Sequence, residues 1–333
     1  MKVLVVGAQE VAALLPVAAC IPLMEETLRL LATGDAVLPL RQVMWQPDRT
    51  GVLALMPAYL GTPQAIGAKV ITVFPANQHT VYDSHQGCIL LFECEHGRLL
   101  AMVDAGSVTA IRTAAVSAVA TKYLARSDAS DLAILGSGTQ AAMHLEALLA
   151  VRPIARVRVW SRTPDHARRF VERAAKQHAL TISAMENAQE AVQGAQIICT
   201  TTAAREPILQ GAWLSPGAHI NAIGASTPGF RELDSSAVAQ SSLFVDRRES
   251  AINEADDVRI PKQEGMIDDG HIRGELGAVV LGRVAGRTGA DQITIFKSLG
   301  LAVEDLAAAH AVYTQASAQG LGTWVEFGGE RHS

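Results

Sequence analysis

Between residues 131 and 300, short and mostly apolar runs alternate with longer stretches whose apolar positions recur at helical spacing. The runs are Leu132–Leu135, Val157–Trp160, Ile182–Ala184, Ile197–Thr200, His219–Ile223, Leu243–Val245 and Ile293–Phe296. A strand covered on both faces has no polar side, so it reads as a run and not as an alternation. Strands separated by helices in this way predict a parallel, doubly wound α/β sheet, because parallel neighbours need a crossover. The first 110 residues follow another pattern. A strand over Val3–Val6 and helices over Glu10–Leu15 and Pro22–Ala32, the latter stopping at Gly34, lead into β-like runs broken by turns. These are Val37–Trp45, Gly51–Tyr59, Ala68–Phe74, Gly87–Glu93 and Leu99–Val103, and they predict an α+β unit. An Ala-rich helix, Ala110–Leu124, connects the two patterns. A last helix, Val303–Gln319, ends at Gly320, and the Gly-rich tail either packs back on the first unit or frays.

Composition narrows the class. A chain of 333 residues suits two domains, and 49% hydrophobic with 18% charged residues is a soluble globular profile. A net charge of −5 gives no overall basic field for nucleic acid or an anionic membrane. Cys20, Cys88, Cys94 and Cys199 have neither C-x-x-C nor zinc-finger spacing, and they read as reduced thiols of a cytoplasmic protein. Gln9 and Glu10 interrupt the apolar start, which argues against a signal peptide. No uninterrupted apolar stretch approaches the roughly 18 residues of a membrane span.

The chemistry is concentrated at a few places. Gly136-Ser137-Gly138-Thr139-Gln140-Ala141 has the spacing G-x-G-x-x-A, directly after one strand and directly before a helix, with a second strand following. The first Gly permits a tight turn, the second lets backbone approach a pyrophosphate, and the helix N-terminus offers free N–H groups to the anion. Gly7, after the first strand, lacks the other small residues of such a turn. Where an acidic residue would accept from the ribose of NAD, the chain reads Ser161-Arg162-Thr163 after Trp160. Two hydroxyls and a guanidinium suit a 2′-phosphate, so NADPH is expected, with NADH as the alternative. Arg168 and Arg169 read as plain helix surface.

Arg41, Lys69 and Arg112 each lie in an apolar context, where a charge needs a partner, a polar cleft or an outward-facing position. Asp256-Asp257 and Asp268-Asp269 read as loop and helix-start residues in preference to a carboxylate pair or metal ligands, since nothing else is spaced to complete a site. No histidine spacing for a metal, no G-x-S-x-G elbow and no P-loop lysine is present.

With these residues in view, the chain resembles the ornithine cyclodeaminase/mu-crystallin family. The likeness rests on Met56-Pro57-Ala58-Tyr59, Lys69 with Phe74-Pro75-Ala76-Asn77, Thr109–Ala115 and the Gly136–Ala141 turn. It continues in Asn221–Ser226, Phe230–Asp234, Val245-Asp246 and Phe296–Gly300. The resemblance implies a Rossmann dinucleotide-binding domain over 116–304 and an α+β substrate and dimerisation domain over 1–115 with 305–333. It implies a homodimer, and a substrate carboxylate gathered by Arg41, Lys69 and Arg112 near Met56 and Ser226. It also implies cofactor contacts from Thr113, the Gly136–Gln140 turn, Ser161–Thr163, Ser298 and Gly300.

The departures carry equal weight. The cyclodeaminases place an Asp at the position of Ser226 and a Glu at that of Ala54, so the acid–base pair for ammonia loss is missing here. Ser226 together with W-S-R-T is instead similar to the ketimine reductases of the family. The expected reaction is NAD(P)H-dependent reduction of a small cyclic 2-imino acid: Δ1-pyrroline-2-carboxylate to L-proline, or Δ1-piperideine-2-carboxylate to L-pipecolate. Either Lys69, the expected catalytic residue, or a bound water delivers the proton. The alternatives are an amino-acid or N-alkylamino-acid dehydrogenase of the family, and an NADPH-holding protein without turnover.

Overall fold

The computed structural model describes residues 1–329, without the side chains of Gln78 and His79. The chain divides into two compact units: Met1–Arg112 with the chain from Leu301 onward, and Thr113–Gly300.

The second unit is built on an all-parallel sheet of eight strands. In spatial order they are Thr181–Ala184, Arg156–Trp160, Asp131–Leu135, Ile197–Thr200, His219–Ala222, Thr294–Lys297, Ser242–Val245 and Ile272–Glu275. Seven of these are the runs expected from sequence, shifted by a residue or so at their ends. The eighth, Ile272–Glu275, reads Ile-Arg-Gly-Glu and lies at the sheet edge. An edge strand needs no continuous apolar run, which is why the pattern did not reveal it. Leu132 and Ile134 face one fully buried cluster with Leu145, Leu148 and Phe170, while Ala133 and Leu135 face another with Val192, Leu209 and Val238. Both faces are covered, so this is a Rossmann-type α/β domain. Strand order reverses between Asp131–Leu135 and Ile197–Thr200, and the crevice beyond their C-terminal ends is where such sheets bind ligands.

The first unit carries a mixed sheet in the order Thr323–Glu326, Lys2–Val6, Leu99–Asp104, His85–Phe92, Gln64–Val73, Val52–Gly61 and Ala36–Val37, with Gln42–Trp45 also paired to Val52–Gly61. The expected run Val37–Trp45 is thus two strands, split where Pro39 has no N–H for a ladder. Over its described residues the tail packs back, with Thr323–Glu326 paired antiparallel to Lys2–Val6, while 330–333 lie outside the described residues. Helix Val17–Thr33 begins earlier than expected, takes Pro22 into its interior and ends at Gly34 with φ 88°. Helix Ala105–Leu124 also begins earlier, because Asp104 Oδ1 accepts from the Ser107 N–H at 2.7 Å and caps its first turn. Helix Ala302–Gln319 packs across the sheet strands Val52–Gly61, Gln64–Val73 and His85–Phe92. Among the described residues no single helix is long and apolar enough to cross a membrane.

Candidate active site

Strand register assembles a polar cluster within the first unit. Met56 pairs with Lys69, and Lys69 pairs with Ile89. Gln42 pairs with Leu55, so Arg41 immediately precedes the strand that runs beside Met56, and its charge reaches Lys69. Directly opposed residues of antiparallel strands point to the same face, so residues far apart in sequence become neighbours. Lys69 is 3% exposed, and its Nζ lies 2.6 Å from Asp305 Oδ2 and 3.4 Å from Thr109 Oγ1. Arg112 donates from Nε to Asp305 Oδ1 and from Nη1 to Glu304 Oε2, both at 2.8 Å. Asp305 therefore bridges the ammonium and the guanidinium. Glu304 and Asp305 sit in the first turn of helix Ala302–Gln319, where the dipole favours negative charge.

Burial pulls the Lys69 ammonium down to about 8, Asp305 opposes the shift, and the charges of Arg112 and Arg41 add to it. Burial pushes Asp305 up, but Arg112 and Lys69 outweigh it and hold the carboxyl below its usual range. Of the three cations marked in the sequence, Lys69 and Arg112 thus have buried carboxylate partners, and Arg41 is half-buried within electrostatic reach of Lys69. Two strand positions from Met56, and so on the same face, Ala54 presents only a methyl group.

The second unit has a cluster of its own, at the switch point of its sheet. Gly136 has φ 126°, and a Cβ there would meet Thr201 Oγ1 at 2.4 Å, so only glycine makes this turn. A Cβ on Gly138 would meet nothing within 4 Å, which leaves open space over the N-terminus of helix Thr139–Leu149. Gln140 Oε1 is buried and has no hydrogen-bond partner among the described residues. An uncrowded glycine, a helix N-terminus and a spare buried acceptor fit a dinucleotide pyrophosphate and its ribose. Ser137 Oγ donates to Ser161 Oγ at 3.0 Å and ties the turn to the end of the next strand.

His144, one turn into the helix, is fully buried, and burial brings it down to about 4, so it is neutral. Its Nδ1 can only donate to the Gln140 carbonyl, 2.7 Å away, which makes Nε2 the acceptor for Ser117 Oγ at 2.8 Å. Thr113 lies one turn before Ser117 on helix Ala105–Leu124 and is buried. Arg162 and Thr163 are exposed at the tip that opens helix Pro164–Gln177. Arg168 matches its surface reading, paired with Asp165 at 2.6 Å. Arg169 is exposed as well, and it lines an open groove together with Ser137 and Gly138.

Three loop-holding acids were visible in the sequence only as letters of longer motifs or as helix-start residues. Asp246 Oδ2 accepts from the N–H groups of Leu299 at 2.6 Å and Gly300 at 2.8 Å, which sets the backbone of the Ser298–Gly300 turn. Glu232 accepts from Thr200 Oγ1, from Thr202 N and Oγ1, and from Gly224 N, all at 2.6–2.7 Å. It thereby fixes the segment that leads to half-buried Ser226. Asp257 Oδ2 pairs with buried Lys297 at 2.9 Å, while Oδ1 accepts from the N–H groups of Glu232 and Leu233. Asp256 and Asp257 do open a helix, Asp256–Gln263, but Asp257 is a buried structural partner and not a solvated cap.

A dinucleotide sheet with its phosphate turn, in a chain that also buries a Lys–Arg–carboxylate cluster, defines a nicotinamide-dependent oxidoreductase. The family model of the ornithine cyclodeaminase/mu-crystallin family matches residues 1–320, and the chain belongs to that family. It is 42% identical over 280 residues to ketimine reductase mu-crystallin of Mus musculus, covering 84% of this chain and 85% of that one. Among solved structures it is similar to Δ1-pyrroline-2-carboxylate reductase of Thermococcus litoralis in complex with NADH and L-proline (TM-score 0.94, 38% identity, 96% of this chain and 99% of that one). It is also similar to an archaeal alanine dehydrogenase dimer with bound NAD (TM-score 0.93, 32% identity, 98% and 100% covered).

Proposed function

We propose that the protein is an NAD(P)H-dependent ketimine reductase acting on a cyclic 2-imino acid, with Δ1-pyrroline-2-carboxylate reduced to L-proline and Δ1-piperideine-2-carboxylate to L-pipecolate. The observation that carries this reading is the Met56–Lys69 pair, with Arg41 in electrostatic reach and Arg112 and Asp305 behind it, on a sheet face where position 54 offers no carboxylate. The cations take the substrate carboxylate. An ammonium has three donors, and among the described residues Asp305 and Thr109 occupy two directions of Lys69, so a third can reach a ligand. Met56 supplies an apolar wall for the ring.

A nicotinamide held there would supply the hydride for the imine carbon, and a proton added to nitrogen would complete the C=N to CH–NH conversion. Lys69, brought down to about 8, is acidic enough to be that proton's source near neutral pH, either directly or through a water. Gly136–Gln140, Ser161–Thr163 and Thr113 hold the cofactor's phosphates and ribose, Ser298–Gly300 borders its nicotinamide, and Ser226 meets the substrate. NADPH is the preferred form. The working state is a homodimer joined through the first unit, and the enzyme works in the cytoplasm, drawing its reduced cofactor from the soluble pool.

Consumption of NADPH with each cyclic imine, beside an ammonia assay with ornithine and oxidised cofactor, tests the proposal. Steady oxidation with the imines and no ammonia from ornithine is expected. Ammonia release would overturn it, and an NADPH-binding protein that turns over neither imine would be a holder of the cofactor and not a reductase.

A further inference from the structure

Helix Pro164–Gln177 buries Ala167, Phe170 and Ala174 against its sheet. Beside that stripe, His166, Arg169 and Arg173 recur at helical spacing and, with Glu172, form one wall of an open groove of about 520 Å³. Ser137 and Gly138 of the phosphate turn form the other. Most arginines of this unit are engaged elsewhere. Arg156 and Arg158 pair with Asp131, Arg168 with Asp165 and Arg259 with Asp256, while Arg152 and Arg287 donate to backbone carbonyls. Arg162, Arg169, Arg173, Arg205 and Arg273 make no hydrogen bond or ion pair among the described residues, and Arg205 stacks on Phe230. Two of these guanidinium groups, Arg169 and Arg173, face a single groove that opens on a dinucleotide turn, and their charge outweighs that of Glu172.

We propose that this groove seats the ribose 2′-phosphate of NADPH, with Arg169 and Arg173 as specificity-determining residues alongside Arg162. The inference rests on the dinucleotide reading of the Gly136–Gln140 turn. Once the pyrophosphate lies over the N-terminus of helix Thr139–Leu149, the adenosine ribose falls on the side of the Ser137–Ser161 hydrogen bond. A phosphate monoester projecting from that ribose enters the groove, where guanidinium groups match its oxygens in pairs. Glu172 opposes the anion and sets an upper limit on the preference.

The experiment measures binding of 2′,5′-ADP and 5′-AMP, together with KM for NADPH and NADH, in the full-length wild-type protein, Arg162→Ala, the Arg169→Ala/Arg173→Ala double variant and Glu172→Gln. The double variant should bind 2′,5′-ADP at least roughly tenfold more weakly, as expected for loss of charge-assisted hydrogen bonds, with NADPH KM rising in step. Its 5′-AMP affinity and NADH KM should stay within about twofold, and its melting temperature should hold, since both side chains are exposed. Glu172→Gln should tighten 2′,5′-ADP. If the double variant binds both probes as the wild type does while Arg162→Ala alone removes discrimination, the groove is not the phosphate seat, although the NADPH reading stands. If the double variant loses 5′-AMP as strongly as 2′,5′-ADP, the arginines are structural and the inference fails. Wild-type protein that fails to distinguish the two probes overturns the NADPH preference itself.

Discussion

Lys69 carries two burdens at one atom. Its ammonium neutralises Asp305 in a site where both side chains are almost wholly buried, and it is the group proposed to receive the substrate carboxylate. The lowered value of about 8 makes the second role pH-dependent. A planar carboxylate whose ring does not titrate near neutrality, such as pyrrole-2-carboxylate, should inhibit with a Ki that rises as pH passes through 8, because the ammonium it pairs with is discharged. NADPH affinity should stay level over the same window, and a Ki that is flat from pH 7 to about 9.5 would remove Lys69 from the clamp. Stability runs the other way. Between about 8 and the ordinary 10.5 the unfolded chain holds a proton that the folded one lacks, so this residue's contribution to stability increases as pH rises through that window.

Lys69→Met should lower kcat/KM about a hundredfold or more, and it should destabilise by about 1–3 kcal/mol, less than for a fully broken buried pair because Asp305 keeps its bond to Arg112. Thermal unfolding and steady-state kinetics on the same preparation check both halves. The cations were legible in the sequence because a charge in an apolar run stands out. Glu304 and Asp305 were not, because acids in a helix's first turn are routine and give no sign of a buried partner.

Elements were legible where periodicity is strong, and less so where a single backbone contact decides. The parallel strands announce themselves as apolar runs, and Gly136 and Gly138 by their spacing; the edge strand Ile272–Glu275 has neither signal. Arg169 was read as surface because helical periodicity separates buried from exposed without saying which exposed stripe faces a groove. The turn Ser298–Gly300 is a further case: its shape comes from one buried carboxylate more than fifty residues earlier in the chain. Asp246→Asn keeps the volume but replaces one acceptor oxygen with an NH2 group, which faces two N–H donors if the amide is turned the wrong way. With charge-assisted bonds worth roughly 1.5–3 kcal/mol, the loss of stability should be of that order or smaller. If the turn borders the nicotinamide, kcat should fall more than KM for the imine. Wild-type kinetics in a destabilised Asp246→Asn protein would make the turn purely structural.

The whole molecule leaves apolar surface where a monomer has no use for it. Val37 is 61% exposed, and the short strand Gln42–Trp45 shows Met44 at 66% and Trp45 at 46%. Large exposed side chains gathered on a sheet margin invite another chain, and native folds cover such margins or blunt them with charge. The proposed homodimer would cover this margin with a second copy of the chain. Arg41 immediately precedes the exposed strand, so whatever orders Gln42–Trp45 also orders one of the three cations proposed to hold the substrate carboxylate. Association and substrate binding should therefore be coupled. Light scattering on the wild type should give twice the 35.2 kDa of one chain. Met44→Glu with Trp45→Glu puts two like charges on the margin of each copy and should shift the mass toward the monomer at micromolar concentration. The same variant should raise KM for the imine severalfold while its NADPH affinity holds, since the phosphate turn belongs to the other unit. A monomeric variant with unchanged KM would separate the two properties, and a wild-type protein that scatters as a monomer at every concentration would leave this apolar margin to a different partner.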